Sequence, residues 1–289
     1  MQIIFNENLS RHNTMRVGGN ADTLLLPESE DEMIRAYEET LEQKGRVFIL
    51  GRGSNTIFRD DDFRGRIIKT TKACPRIKIV QSNRKSFRKR YLVEAGASVT
   101  NQSFLRFCRE NNLAGPTYLQ SVPGNIGGSI YMNAGTGIDE GLAISNTLKE
   151  VRVFDGRRIF TLPKESCGFL FRYSIFHKNH WLILSAIFEL ESKSGRKVER
   201  EIRSRMSFAK NWQDLGYPNT GSVFKEGYQH IEGLRGKRFG QAMFSIKSAN
   251  WIINLGGAKT SEVLALVEWA IDLHEKMGYP KPVMEWIVR

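Results

Sequence analysis

The sequence lacks several features that would place it in a specialised class of protein. Its three cysteines are odd in number and far apart, and none belongs to a Cys-x-x-Cys pair. This spacing argues against a disulfide framework or a cysteine zinc site and fits a reducing compartment. The five histidines form no ligand cluster, and the longest apolar-rich run, Trp181–Leu190, is far shorter than the ~20 residues of a membrane span. The N-terminus also lacks the basic start and long apolar run of a signal peptide. We therefore expect a cytoplasmic protein without a metal or a membrane segment.

Acidic residues are few relative to basic ones, with 31 Asp+Glu against 43 Lys+Arg and a net charge of +12. A basic chain attracts nucleic acid, anionic lipid or small phosphorylated ligands, so the charge alone selects none of them. The segment Ser82–Arg90 holds five of the basic residues but a single aromatic one. Proteins that bind single-stranded nucleic acid place several aromatic side chains among their basic ones. We interpret this segment as a solvated hairpin turn and keep a basic nucleic-acid-binding protein as an alternative.

The composition changes along the chain in a way that predicts two domains. Forty per cent apolar residues is enough for the cores of two ordinary domains in a chain of 289 residues. Residues 191–210 are rich in Lys, Arg and Glu and poor in large apolar groups, which predicts a solvated helix or connector. We therefore place a boundary there, with a first domain at 1–190, itself divided into subdomains of about 1–70 and 71–190, and a second at 191–289.

Apolar spacing predicts the main helices and strands. Ser29 begins a capping-box pattern, and apolar residues at helical spacing follow it as far as Gly45. Residues 101–112 also fit a helix, and Ser261 opens a third helix with a clear apolar stripe. Alternating segments that predict strands lie at 46–50, 66–70, 76–80, 91–95, 150–154, 158–162 and 181–184.

Familiar catalytic motifs are absent from the sequence. It contains no Gly-x-Ser-x-Gly elbow, no His-Glu-x-x-His and no Gly-x-x-x-x-Gly-Lys-Ser/Thr loop. Gly51–Thr56 begins like a dinucleotide fingerprint, but it lacks the third glycine and a predicted strand follows it. A standard Rossmann site is therefore not expected.

Four glycine-rich polar stretches remain unexplained in the first half of the chain. They are Asn13–Gly19, Gly51–Asn55, Val122–Gly128 and Met132–Gly135. Glycine allows consecutive backbone amides to point toward one ligand, and such amide nests bind phosphate oxygens. Each stretch alone is most simply a tight turn. Together they predict a large phosphorylated cofactor held by loops.

In this order the four stretches resemble those of the UDP-N-acetylenolpyruvoylglucosamine reductase family. The resemblance extends from about Asn13 to Glu285. The family's Phe-x-Tyr-Arg-x-Ser motif is similar to Phe169–Ser174, with Phe171 in place of the tyrosine, and its Gly-Ser-x-Phe-Lys motif to Gly221–Lys225. The chain resembles the compact type of the family, which lacks an inserted tyrosine-bearing loop.

The resemblance implies a fold and an activity. The fold would be α+β, with an FAD-binding domain of the vanillyl-alcohol-oxidase type made of two α/β subdomains, and a C-terminal α+β substrate domain. The activity would be an NADPH-dependent reduction that converts the enolpyruvyl ether of UDP-N-acetylglucosamine to UDP-N-acetylmuramate in peptidoglycan precursor synthesis. The implied cofactor is FAD, with NADPH as co-substrate and a UDP sugar as substrate. We expect a monomer that binds neither nucleic acid nor a membrane.

The resemblance also implies the residues of the site. The catalytic residues would be Arg172 and a protonated Glu285, which would stabilise an enolate, and Ser222, which would donate a proton. Lys225 and Asn250 would bind substrate. The residues expected to bind the cofactor share the glycine-rich stretches and are Gly51, Arg52, Gly53, Ser54, Asn55, Pro123, Gly124, Asn125, Gly127, Gly128, Asn133, Ala134 and Gly135.

Some positions depart from the family's pattern. Glu226-Gly227 stands where the family usually has Asn-Pro, and Ser248 where it commonly has His. The arginine of the expected Glu-Val-Arg ending is displaced to Arg289. A carboxylate at position 226 would repel a diphosphate. These departures leave open an FAD oxidoreductase of the same fold with a different substrate.

Overall fold

The computed structural model describes residues 1–83, 89–137 and 140–289. Five residues of the predicted basic turn, 84–88, therefore lie outside the described residues. The described chain divides into two compact units. The units are assembled from separate stretches of chain, the first from Met1–Ile3, Leu25–Gly51 and Arg66–Met206 and the second from Ile4–Leu24, Arg52–Gly65 and Ser207–Arg289. The division into domains at residue 190 stays a prediction.

Helices and strands are mixed along the described chain. The helices are α1 (Glu30–Glu42), α2 (Asn101–Glu110), α3 (Ile126–Tyr131), α4 (Phe176–Asn179), α5 (Gly195–Trp212) and α6 (Thr260–Lys276). The strands are β1 (Gln2–Asn8), β2 (Asn20–Leu26), β3 (Val47–Leu50), β4 (Thr56–Ile57), β5 (Phe63–Lys69), β6 (Ile77–Asn83), β7 (Arg90–Gly96), β8 (Leu148–Phe154), β9 (Ile159–Pro163), β10 (Leu182–Glu191), β11 (Asn219–Ser222), β12 (Phe224–Glu226), β13 (Arg238–Phe239), β14 (Ala242–Phe244), β15 (Trp251–Asn254), β16 (Val283–Met284) and β17 (Ile287–Val288).

The first unit is built around a five-stranded antiparallel sheet in the order β6-β7-β10-β8-β9. Its central strand, β10, is buried along most of its length, which matches its apolar sequence. Apolar residues of α2 and α3 pack on this sheet, and the rings of Phe104 and Phe188 lie 4.8 Å apart. The sheet and these two helices form the main core of the unit, which supports the loops that flank α3.

Helix α1 begins where the sequence predicts it, because Ser29 caps its N-terminus. The Ser29 hydroxyl accepts a hydrogen bond from the Glu32 amide at 3.2 Å. The Glu32 carboxylate accepts from the Glu28 amide, one residue before the cap. After α1, strand β3 pairs in parallel with β5, and a four-stranded sheet has the order β1-β2-β5-β3. Strand β3 ends at Leu50, and the glycine-rich loop follows directly.

The second unit contains an antiparallel sheet in the order β11-β15-β14-β13 and two short strand pairs. The first pair, β12 with β16, is antiparallel, and the second, β4 with β17, is parallel. The apolar stripe of α6 is buried as predicted, at Val263, Leu266, Val267 and Ala270. These residues join one hydrophobic cluster with Phe224 and Trp286, which lie near the ends of the two strand pairs.

Asp60 supports the start of α6. Its two carboxylate oxygens accept hydrogen bonds from the Thr260 and Ser261 amides at 2.7 and 2.8 Å. Desolvation raises the pKa of Asp60, but the hydrogen bonds from Ser261 and Thr260 outweigh it and hold the pKa below its ordinary value. An ionised carboxylate therefore satisfies amides that have no acceptor within the helix.

Helix α5 occupies the segment where the sequence predicts a solvated helix or connector, and most of its surface is exposed. Arg205 is an exception, because burial lowers the pKa of its guanidinium. In the described part of the chain, none of the helices combines the length and the apolar character needed to cross a bilayer.

Candidate functional site

In the second unit, residues 52–55 of the Gly51–Asn55 loop lie against the Asn13 segment. The Thr14 amide donates a hydrogen bond to the Gly53 carbonyl at 3.0 Å. Gly53 has a φ of +66°, and a Cβ built there would overlap the His12 carbonyl oxygen and lie 2.7 Å from the Cα of Asn13. Only glycine fits both the conformation and the space. The Asn13 segment therefore packs against the loop and restricts its conformation.

Asn13 fixes its own segment by side-chain hydrogen bonds. It is buried, and its amide nitrogen donates to the carbonyls of Leu9 and Val17 at 2.8 and 2.7 Å. The sequence analysis singled out this stretch but predicted no site residue in it. The available signal for a site residue was the Asn13-Thr14 pair within the glycine-rich stretch Asn13–Gly19.

Three consecutive amides of the loop are available to a ligand. Among the residues that the structure describes, the backbone amides of Gly53, Ser54 and Asn55 have no acceptor. A turn that contains a positive-φ glycine and leaves successive amides unpaired has the features of an anion nest. This observation fits a phosphorylated cofactor such as FAD.

The same loop is hydrogen-bonded to the predicted carboxylate residue. The Asn55 side-chain amide donates to the Glu285 carbonyl at 3.0 Å, and the Ile287 amide donates to the Asn55 carbonyl at 2.9 Å. On its other side, the Glu285 amide donates to the Val223 carbonyl at 2.8 Å. Val223 follows Ser222, so the structure brings the loop, Glu285 and the serine motif together in one unit. We call Asn55, Ser222, Val223 and Glu285 the serine–glutamate cluster.

Asn250 and Lys225 lie near this cluster in different environments. Asn250 is buried, and its side chain accepts from the Phe224 amide at 2.8 Å and donates to the Phe224 carbonyl at 2.9 Å. Its backbone carbonyl accepts from the Val223 amide. Asn250 therefore fixes the strand that carries Ser222 and Lys225. The Lys225 ammonium group makes no hydrogen bond or ion pair with another described residue.

In the first unit, Asn125 organises the loop before α3. Its side-chain amide donates to the Ala97 carbonyl at 2.8 Å, and the Gly127 amide donates to the same carbonyl at 3.0 Å. A Cβ on Gly51 would lie 2.5 Å from the side-chain oxygen of Asn125, so a larger residue at position 51 would displace the Asn125 side chain. The Pro123–Gly128 stretch thus lies beside the end of β3, where the sequence predicts a cofactor loop.

The Met132–Gly135 stretch closes the end of α3. The Ala134 amide donates to the Ser129 carbonyl at 2.8 Å. Asn133 has a φ of +44°, a conformation that asparagine tolerates, and its side-chain amide donates to the Leu170 carbonyl at 2.9 Å. A Cβ on Gly135 would overlap the Leu142 carbonyl. Asn133 therefore links this stretch to the segment that carries Arg172.

Backbone carbonyls orient Arg172. One guanidinium nitrogen, Nη2, donates to the carbonyls of Gly135 and Thr136 at 3.0 Å each. The guanidinium carbon lies 4.7 Å from the centre of the Phe171 ring, within cation–π range. We call Arg172, Asn133, Gly135 and Thr136 the arginine cluster. Hydrogen bonds to neutral carbonyls direct the guanidinium and leave its positive charge intact.

Two further polar groups of the first unit were missed by sequence reasoning. The Arg205 guanidinium Nε donates to the Ser121 hydroxyl at 2.9 Å, two residues before the Pro123 loop. The Tyr118 hydroxyl donates to the Ala143 carbonyl at 2.6 Å, and burial raises the pKa of this tyrosine. Arg205 lies in a segment whose composition predicted solvent exposure, and no local pattern distinguishes it from the neighbouring arginines.

Glu226, the departure from the family's pattern, is exposed and faces a small cavity of the second unit. The cavity has a volume of about 260 Å³ and is also lined by His230, His274 and Tyr279. The rings of His230 and Tyr279 are stacked 3.7 Å apart. Across the described residues, no group of three or more His, Cys, Asp or Glu could hold a metal ion.

The predicted site residues thus fall into two sets. The first unit contains Arg172, Gly51 and the predicted residues of 123–135. The second contains Ser222, Glu285, Lys225, Asn250 and the rest of the 51–55 loop. Hydrogen bonds join the motifs within each set. The joint action of the two clusters stays a prediction.

Two family models match this chain. One, described as an FAD binding domain, matches residues 21–157. The other, described as the C-terminal domain of UDP-N-acetylenolpyruvoylglucosamine reductase, matches residues 213–273. The predictions of an FAD cofactor and of an α+β fold with an FAD-binding domain and a second, C-terminal domain are confirmed.

Curated relatives and a solved structure agree with these matches. UDP-N-acetylenolpyruvoylglucosamine reductase of Syntrophobacter fumaroxidans is 37% identical over 273 residues, which cover 91% of this chain and 76% of the relative. The enzyme of the same name from Caldanaerobacter subterraneus is 32% identical and covers 96% of this chain and 90% of the relative. In fold, the chain is similar to the crystal structure of the reductase from Thermus caldophilus, with a TM-score of 0.77 and 24% identity. The match covers 99% of this chain and 98% of that structure.

Proposed function

Since the chain belongs to the UDP-N-acetylenolpyruvoylglucosamine reductase family, we propose that its two clusters carry out the reduction that gives this family its name. NADPH and a proton are consumed, and the enolpyruvyl ether of UDP-N-acetylglucosamine becomes the lactyl ether of UDP-N-acetylmuramate. The observation that carries the assignment of residues is the hydrogen-bonded connection between the glycine loop, Glu285 and the serine motif.

The glycine-rich loops would hold FAD. The unpaired amides of Gly53, Ser54 and Asn55 fit the diphosphate, and the Pro123–Gly128 and Asn133–Gly135 stretches would bind further parts of the cofactor. The chemistry that FAD supplies when bound is hydride transfer, from NADPH to the cofactor and from the cofactor to the substrate's alkene.

Arg172, and Glu285 in its protonated form as a hydrogen-bond donor, would stabilise the negative charge that develops on the substrate. Hydride addition to the distal alkene carbon places negative charge on the carbon beside the carboxylate, as an enolate. A guanidinium group matches a carboxylate and remains charged at every relevant pH, and Arg172 is already directed by two carbonyls. Groups that are oriented before the reaction stabilise such a charge without further reorganisation.

Ser222 would donate the proton that completes the reduction. A serine hydroxyl is a weak acid, but a carbanion beside a carboxylate is a far stronger base, so transfer over a hydrogen-bond distance is favourable. Asn250 supports this role because it fixes Phe224 and Val223, which follow Ser222 in the chain. Lys225, with no partner among the described residues, would bind a substrate phosphate.

Replacing Ser222 by alanine tests the assignment of the proton donor. We expect Ser222→Ala to retain FAD and to be reduced by NADPH at the normal rate. When the enolpyruvyl UDP sugar is then added without oxygen, reoxidation of the flavin should be slower by a factor of about 10²–10⁴, the usual contribution of a general acid. Stopped-flow absorbance measures both steps.

A Ser204→Ala variant, in an exposed part of α5, serves as the control and should behave as the unmodified protein. Equal loss of both half-reactions in Ser222→Ala would contradict a proton-donor role. Persistence of reduced flavin in the unmodified protein after the sugar is added would instead favour a different substrate, for which Glu226 and Ser248 are the departures to examine.

We further propose that the enzyme is a monomer of a reducing cytoplasm and binds no nucleic acid. The three cysteines support the location, because all are buried and free of disulfides. Light scattering of the protein as it elutes from a size-exclusion column tests the oligomeric state. A gel-shift assay with single-stranded and duplex DNA tests whether the protein binds nucleic acid. A shift that survives physiological salt would contradict it.

A further inference from the structure

We propose that Asn55 is a positioning residue for Glu285, in addition to its place in the cofactor loop. Its side-chain amide would hold the residue that bears the carboxylate next to the strand that carries Ser222. This inference rests on the proposed role of Glu285 in the second half-reaction.

Glu285 is held by hydrogen bonds on both sides of its own backbone. Its amide donates to the Val223 carbonyl at 2.8 Å, and its carbonyl accepts from the Asn55 side chain at 3.0 Å. The first bond ties Glu285 to the neighbour of Ser222, and the second ties it to the glycine loop. Loss of the second bond would remove this link between Glu285 and the glycine loop.

Asn55 is itself fixed in place, which a positioning residue requires. Its carbonyl accepts from the Ile287 amide at 2.9 Å, and β4 and β17 begin their parallel pairing at Thr56 and Ile287. Two residues earlier, Gly53 is bound to the Thr14 amide. The buried ring of Trp286 follows Glu285 in the same unit. The short segment around Glu285 is therefore held at 287 by a backbone bond to Asn55, and at 285 by a backbone bond to Val223 and a side-chain bond from Asn55.

The side-chain bond from Asn55 is the part of this arrangement that a substitution can remove. The backbone pairing of β4 with β17 does not need a particular side chain. The bond to the Glu285 carbonyl, in contrast, needs a side-chain donor of the length of asparagine at position 55. A displacement of a reacting group by about 1 Å costs about 10²-fold in rate. Through this bond Asn55 acts on the step that uses Glu285, whereas an effect on the cofactor loop alone would slow both steps equally.

The experiment is a double-mutant cycle between Asn55 and Glu285. The variants are Asn55→Ala, Glu285→Gln and the double variant, with Asn55→Asp as a second change that keeps the side chain's shape and removes its donor. Asn254→Ala is the matched control, because Asn254 is buried in the same unit and donates to the Met15 carbonyl at 2.9 Å. Each protein is saturated with FAD, so that weaker cofactor binding does not limit the rates.

Four quantities are measured for each variant. They are the rate of flavin reduction by NADPH, the rate of anaerobic reoxidation by the enolpyruvyl UDP sugar, the dissociation constant of FAD from fluorescence quenching, and the unfolding temperature of the FAD-free protein. The last two do not depend on activity and report on the loop and on the fold.

We expect Asn55→Ala and Asn55→Asp to slow reoxidation by about 10–100-fold, which is at least about tenfold more than either change slows reduction by NADPH. In the Glu285→Gln background the further loss from Asn55→Ala should fall below about threefold, because the two changes act on one interaction. Asn254→Ala should lower the unfolding temperature and leave both rates unchanged.

Three results would overturn the inference, and they differ from one another. If Glu285→Gln slows reoxidation and Asn55→Ala multiplies that loss by its full factor, Asn55 acts independently of Glu285. If Glu285→Gln reoxidises at the normal rate, the proposed role of Glu285 is wrong, and the positioning role falls with it. An equal slowing of both half-reactions in Asn55→Ala and Asn55→Asp would assign Asn55 to the cofactor alone.

Discussion

Replacing Gly53 by alanine should weaken FAD binding as well as the fold. Gly53 has a φ of +66°, which an alanine adopts at a cost of about 1–2 kcal/mol. The added Cβ would lie 2.7 Å from the Cα of Asn13. Ordinary contact between carbon atoms begins near about 3.5 Å, so the loop and the Asn13 segment must separate by about 1 Å.

A separation of about 1 Å is enough to break hydrogen bonds from the loop to the cofactor. A bond of about 2.9 Å would lengthen beyond the range in which it contributes. Each hydrogen bond to a charged group contributes about 1.5–3 kcal/mol. Since about 1.4 kcal/mol corresponds to a factor of ten in affinity, loss of one such bond raises the dissociation constant of FAD by about 10–100-fold.

Gly257→Ala provides the matched control for the backbone cost. Gly257 lies in the same unit with a φ of +74°, and a Cβ built there would have no heavy atom within 4 Å. Both variants should lose about 1–2 kcal/mol of stability, which corresponds to about 2–4 °C in unfolding temperature per kcal/mol. Only Gly53→Ala should lose FAD affinity.

Fluorescence quenching of FAD and thermal unfolding of the FAD-free proteins measure these two effects separately. FAD binding by Gly53→Ala that matches the binding by the unmodified protein would refute this explanation. An equal loss of affinity in Gly53→Ala and Gly257→Ala would refute it too, because the backbone conformation would then explain the loss without any contact to Asn13.

Two other changes test the stability of the second unit. Asp60→Asn should cost about 0.5–1 kcal/mol at pH 7 in urea unfolding, because Asp60 accepts from the Thr260 and Ser261 amides at the start of α6. The pKa of Asp60 is lowered in the folded state, so its contribution is complete above the unfolded value of about 4 and is lost as the pH falls through the folded value. A difference between Asp60→Asn and the unmodified protein that does not decrease as the pH falls below about 4 would contradict this. His274→Leu should raise the urea midpoint by the equivalent of about 1–3 kcal/mol, because the ring is 2% exposed and neither nitrogen has a partner among the described residues. A lower midpoint would show that the imidazole is hydrogen-bonded in solution.

Local sequence patterns predicted the elements whose causes are themselves local. The cap at Ser29, the apolar stripe of α6 and the buried strand β10 were each expected from spacing that spans a few turns or a few residues. The parallel pairing of β4 with β17 could not be predicted in this way. It joins Thr56 to Ile287, and two-residue strands contain too little alternation to indicate either their existence or their partner.

For the candidate site, the motifs indicated which residues to examine but not how they are held. Arg172 is oriented by carbonyls of Gly135 and Thr136, and backbone acceptors leave no signature in side-chain composition. Asn250 was predicted to bind substrate, and its side chain is engaged with both polar groups of the Phe224 backbone. An asparagine in a motif is equally compatible with a ligand contact and with a backbone clamp. The bonds to Phe224 show the backbone contact, and substrate binding by Asn250 stays a prediction.

The placement of individual cations explains more about the candidate site than the total charge of +12 does. Most of the basic side chains that the structure describes on α5 are exposed, where solvent and salt screen them within about 8–10 Å. Arg205 on the same helix is half-buried and is hydrogen-bonded to Ser121 beside the Pro123 loop, and its burial lowers the pKa of the guanidinium. Charge in a less polar environment acts more strongly on a bound anion than charge in water does. We therefore expect Arg205 to act more strongly on an anionic ligand at the Pro123 loop than the exposed lysines and arginines of α5 do.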